Sequence, residues 1–166
     1  MRRRDFAGVV DVWPMRGEAM KILGLDPGKS GGLAVVGDGY ADAAKFGDTE
    51  RDIWDAIRMA STSCEFAYIE RVGAFPGQGV SSTFKFGQSY GFLRGCLVAC
   101  GIPFEAVTPA KWQRSLACLS KGNKNVTKAK AQELFPALKI THAIADALLI
   151  AEFGRRRVLG DRVLGS

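Results

Sequence analysis

The stretch Ile22 to Val36, ILGLDPGKSGGLAVV, constrains this chain more than any other. Two apolar runs flank Pro27-Gly28 and Gly31-Gly32, residues that end a strand and turn it back on itself. A hairpin is expected. The same letters also tempt a different reading, because Gly28-Lys29-Ser30 matches the end of a phosphate-binding loop. That loop needs a glycine five residues before Gly28 and a helix directly after the serine. Position 23 is leucine, Gly24 is one residue too close, and Leu33-Ala34-Val35-Val36 reads as a second strand. No nucleotide cofactor is expected. The hairpin leaves one residue to explain: Asp26, an acid at the end of an apolar strand.

The pattern continues as a meander. Lys21 to Leu25, Leu33 to Val36 and Ala41 to Phe46 read as three strands, the last two joined by Gly37-Asp38-Gly39. Asp48-Thr49-Glu50 begins a helix, with Ile53, Trp54, Ile57 and Ala60 at helical spacing. Phe66 to Val72 is a strand bearing Glu70, and a glycine-rich loop leads to a long helix from Ser81 to Ala99, capped by Ser81 or Ser82. A short strand, Phe104 to Val107, precedes a helix with Pro109 in its first turn. Lys121 to Asn125 reads as a loop, followed by a lysine-rich helix to Phe135 and a last helix from His142 to Arg156. This order implies an α/β fold, a mixed sheet with a meander at one side and helices on its faces.

A chain of 166 residues with 47% hydrophobic composition supports a single domain with a sizeable core. The expected division is a disordered leader over residues 1–19 and one domain over 20–166. The leader carries no continuous apolar region, and no run approaches a membrane span. The four cysteines, Cys64, Cys96, Cys100 and Cys118, lack zinc-ligand spacing, so free thiols in a reducing, cytoplasmic compartment are expected. A net charge of +6 and a pI near 9.3 point toward an acidic partner such as nucleic acid.

Asp26, Glu70 and Asp146 each interrupt an otherwise apolar element, Asp146 within HAIADALLIAEF. A carboxylate facing a core is unfavourable unless it is paired or binds a cation. Together the three suggest a shared divalent metal site. His142 lies four residues before Asp146 and so falls on the same helix face.

In order and spacing, the segments ILGLDPGKSGGLAVV, AYIERV, FKFGQSYGFLRG, VTPAKWQ and THAIADALLIAEFG resemble those of RuvC-type Holliday junction resolvases of the RNase H-like superfamily, above all compact phage versions. The resemblance runs from Lys21 to Gly154. It implies a five-stranded mixed sheet with its first three strands antiparallel, flanked by helices. It further implies a homodimeric endonuclease that resolves four-way DNA junctions by two-metal phosphodiester hydrolysis in a bacterial or phage-infected cell. Asp26, Glu70, His142 and Asp146 would be its catalytic and metal-binding residues, with Mg²⁺ as cofactor and Mn²⁺ able to substitute.

Lys111, Arg114, Lys121, Lys124, Lys128 and Lys130 form a one-signed segment without an acid, suited to DNA phosphates. Within it, Lys111 and Lys128 are the expected assistants of cleavage. Phe75, just after Glu70, is expected to stack on opened bases. Gly87, Gly91 and Gly95 form a smooth stripe expected at the dimer interface, with packing on the protein's own sheet as the rival reading. Two other functions compete: an RNase H-like nuclease on other branched DNA or RNA–DNA hybrid, and a noncatalytic DNA-binding module.

Overall fold

A computed structural model describes residues 20–28, 30–71, 73 and 79–164. The leader and Phe75 lie outside the described residues. Five strands form one sheet in the order β3-β2-β1-β4-β5: β1 (Ile22–Asp26), β2 (Gly32–Gly37), β3 (Tyr40–Lys45), β4 (Phe66–Glu70) and β5 (Phe104–Val107). The first three are antiparallel, and β4 and β5 run parallel to β1. The expected mixed sheet is thus the observed one.

Strand alternation divides the core in two. Ile22 and Val36 face one side with Tyr68 and Val107, whereas Leu23, Leu25, Val35 and Ile69 face the other. The first side is covered by α3 (Pro109–Ser115), α4 (Lys124–Leu134) and α5 (His142–Leu164); the second by α1 (Glu50–Ser61) and α2 (Val80–Ala99). Helix α5 packs across β1 and β2, and small residues let it lie close. A Cβ on Gly24 would collide with the Ala147 carbonyl and come within 2.6 Å of the Ala151 amide; one on Gly154 would strike the Tyr68 ring. Because Asp146 adjoins Ala147, this seam sets how near Asp146 comes to β1.

The starts of α2 and α4 and the end of α5 differ from the sequence reading. Helix α2 is capped by Gly79, with Ser81 and Ser82 inside its first turn, so neither serine is the cap. Helix α4 starts at Lys124 because the Asn123 side chain accepts the Asn125 amide at 3.0 Å, which shortens the expected loop. Helix α5 continues past Arg156, where Glu152 accepts hydrogen bonds from Arg155 and Arg156. The Thr49 and Asp52 side chains form a reciprocal cap at the start of α1. All four cysteines are free, and among the described residues no helix is long and apolar enough to cross a membrane.

Candidate active site

Asp26 and Glu70 close β1 and β4, parallel neighbours whose register pairs Leu25 with Ile69, so both acids emerge at the same edge of the sheet. This carboxyl edge is where open α/β sheets place their ligand crevices. Asp146 arrives from the second turn of α5. The three line one cleft of about 650 Å³, joined by Lys124 of α4 and by Lys85, Phe86 and Ser89 of α2. Glycines shape its floor. Gly28 takes a φ of 129° and donates its N–H to Ser89 Oγ at 3.3 Å, and a Cβ on Gly31 would collide with the Asp26 carbonyl.

Burial is the leading cause of a raised pKa at all three acids. Asp26 is held well above the usual carboxylate range, with Glu70 and Asp146 adding like-charge repulsion and Lys124 opposing it. Glu70 is pushed up to about 7 by burial; an indole N–H from Trp112, 2.9 Å from its Oε2, works the other way, and Asp146 repels while Lys124 attracts. Asp146 is raised by burial and steadied by the Thr127 hydroxyl, Lys124 and His142. Its Oδ1 is buried without a hydrogen-bond partner. Such a set is poorly satisfied by protein groups alone, and hard oxygen donors around an unfilled acceptor suit a divalent cation. The acids share the cleft without forming a closed cage: among the described residues, no three His, Cys, Asp or Glu side chains are gathered tightly enough to hold an ion as they stand.

The other sequence-derived residues separate. Lys124 lies in the cleft and touches all three acids electrostatically, whereas Lys111 pairs with Glu105 at 3.1 Å and Lys130 with Glu133 at 2.8 Å. Arg114 and Lys121 are exposed, Lys128 is half-buried, and none of these lines the cleft. His142 opens α5, exposed and outside the cleft lining. Gly87, Gly91 and Gly95 have nothing within 4 Å of an added Cβ, so the stripe does not pack on the protein's own sheet. Sequence reading passed over Trp112, Thr127, Lys85, Phe86 and Ser89. The only signal for them was membership of VTPAKWQ and FKFGQSYGFLRG or helical spacing from Lys124. A second hollow, about 640 Å³, lies by the β2–β3 turn, but its acids Asp38 and Glu152 are already paired with Arg155 and Arg156.

No family model matches the chain, and no curated protein matches it in sequence. In three dimensions it is similar to T. thermophilus RuvC in complex with a Holliday junction substrate, with a TM-score of 0.58 and 19% identity over 85% of this chain and 96% of that one. A second Thermus thermophilus RuvC structure gives a TM-score of 0.58 and 20% identity over 85% and 97%. The chain has the RuvC fold. Its five-stranded sheet places β1, β4 and α5 so that Asp26, Glu70 and Asp146 line one cleft.

Proposed function

We propose that this protein is a metal-dependent, structure-selective endonuclease that resolves four-way DNA junctions. The observation that carries the proposal is the meeting of three desolvated acids with raised pKa values, one with an orphaned oxygen, at the carboxyl edge of a RuvC-like sheet. Asp26, Glu70 and Asp146 hold Mg²⁺ or Mn²⁺, and His142 adds a ligand or proton carrier from the first turn of α5. Bound metal supplies an activated water and charge neutralisation at the departing 3′ oxygen. Lys124 holds the scissile phosphate beside the acids, and Lys85 extends that grip from α2. Lys111, Arg114, Lys121 and Lys128 provide outer phosphate contacts that do not read sequence. Phe75 stacks on an opened base.

The same reading makes the protein a homodimer. Helix α2 buries Leu93, Cys96 and Leu97, yet it also presents Val80, Phe84 and Val98, which are 87%, 65% and 70% exposed. With Gly87, Gly91 and Gly95 these residues recur every three or four positions, an apolar face open to a second copy. Two-fold symmetry would offer matched sites for the two incisions a four-way junction requires.

The test is incubation with Mg²⁺ and a panel of four-way junction, flap, duplex and RNA–DNA hybrid. Paired symmetric cuts in the junction are expected. Asp26→Asn, Glu70→Gln and Asp146→Asn are each expected to lower cleavage at least a hundredfold while junction binding persists, since lysines supply most of the affinity. Preferential cutting of the hybrid would redirect the reading to another RNase H-like nuclease. Binding with no cleavage of any substrate would leave a noncatalytic module.

A further inference from the structure

The flexible member of the acid set is Glu70, whose side chain has one more rotatable bond than those of Asp26 and Asp146 and loses more freedom when ordered. It is also gripped by a rigid, wholly buried donor. Trp112 has no exposed surface, and its Nε1 donates to Glu70 Oε2 at 2.9 Å. The two are 42 residues apart in sequence and are joined by strand geometry. Glu70 pairs with Val107 on β5, the Arg71 amide donates to the Val107 carbonyl at 2.7 Å, and Thr108-Pro109 turn the chain into α3. One turn later Trp112 reaches back, its amide donating to the Thr108 carbonyl at 3.3 Å. The indole is packed within the same core as Val107, Leu116 and Leu148, so its N–H direction is fixed before any ligand arrives.

We propose that Trp112 is a positioning residue for Glu70: its indole N–H occupies Oε2 and holds the carboxylate so that Oε1 is presented to a divalent cation. This rests on the metal-site reading above. A buried indole needs some acceptor in any fold, and a backbone carbonyl would serve that need equally well. Pairing it with an acid of the cleft instead gives the bond a second consequence. Hydrogen-bond partners of metal ligands set ligand orientation, and their loss lowers metal affinity by roughly 10–100-fold.

The experiment uses the full chain and Mn²⁺, with binding followed by the electron paramagnetic resonance of free Mn²⁺. Trp112 is replaced by β-(3-benzothienyl)alanine, which keeps the bicyclic shape and lacks the N–H; Trp112→Phe is the second variant, and Glu70→Gln the control. The expected result is that wild type binds Mn²⁺, that Glu70→Gln and both Trp112 replacements bind it about tenfold or more weakly, and that circular dichroism shows the benzothienyl protein folded. Its cleavage of a four-way junction returns when Mn²⁺ is raised by the same factor, a rescue that a damaged core would not allow. If the benzothienyl protein binds Mn²⁺ as wild type does while Glu70→Gln does not, the positioning role is wrong and the metal site stands. If wild type binds no Mn²⁺, or Glu70→Gln leaves binding unchanged, the metal-site reading fails and this role fails with it.

Discussion

At the scale of single residues, Asp26, Glu70 and Asp146 work against folding when no cation is present. Their folded-state pKa values are raised, Glu70 to about 7 from an ordinary 4.5. A raised acid binds its proton more tightly in the folded state, so its contribution to stability is full below the unfolded pKa and is lost as pH rises through the folded one. Asp52 and Glu152 are lowered and act oppositely, but their effect is confined to pH values below their ordinary range. Metal-free protein is therefore expected to melt at a lower temperature at about pH 8 than at about pH 5.5, with Mg²⁺ reversing the loss. Glu70→Gln is expected to flatten the dependence. Calorimetry across that range in chelator, then in Mg²⁺, checks both, and a melting temperature that rises with pH in chelator would contradict them.

At the scale of elements, close packing and helix ends decide stability. Helix α5 approaches β1 through Gly24, where a methyl group would meet the backbone of Ala147 and Ala151. Backbone cannot turn aside as a side chain can, so Gly24→Ala is expected to destabilise by about 3 kcal/mol, the upper end for overpacking. It should also move Asp146 away from Asp26. Urea unfolding measures the first effect, and loss of junction cleavage in the fraction that remains folded reports the second. Helix ends supply the opposite case. Helix α2 closes with Gly101 at a φ of 70°, its N–H donating to Val98 and that of Ile102 donating to Leu97. Helix α3 closes with the same bonds, Ala117 to Arg114 and Cys118 to Gln113, but with alanine at a φ of 54°. A left-handed alanine costs about 1 kcal/mol relative to glycine there. Ala117→Gly should raise stability by roughly that amount in urea, without changing cleavage.

At the scale of the molecule, α2 carries apolar surface on two sides, and only one is covered by the protein's own core. Gly91 lies on the open side with free space around its Cα. A Cβ there meets nothing within 4 Å, and leucine removes a helical glycine, a change favouring the folded monomer by up to about 1 kcal/mol. It would, however, keep a second α2 from close approach. Gly91→Leu is therefore expected to give a well-folded monomer that nicks junctions without resolving them, and wild type is expected to be dimeric at micromolar concentration. Light scattering with a nicking assay distinguishes these. A wild-type monomer that makes paired symmetric cuts would overturn the dimer.

The order of strands and helices, the antiparallel meander and the suspicious context of Asp26, Glu70 and Asp146 were all legible in the sequence, because each depends on periodicity or turn chemistry within a few residues. The rest depended on neighbours distant along the chain. Six basic residues between Lys111 and Lys130 looked alike as letters, and only the capping of α4 by Asn123 and its docking beside α5 put Lys124 among the acids while Glu105 drew Lys111 elsewhere. The glycines of α2 had two possible faces, and the sheet took the other one. Trp112 carried no signal beyond its place in VTPAKWQ, and only the β4–β5 register brings its indole to the Glu70 carboxylate. Helical and strand spacing fix which face of its own element a side chain occupies. Which groups desolvate it, repel it or hydrogen-bond it is set by long-range packing, and those partners determine the chemistry of the cleft.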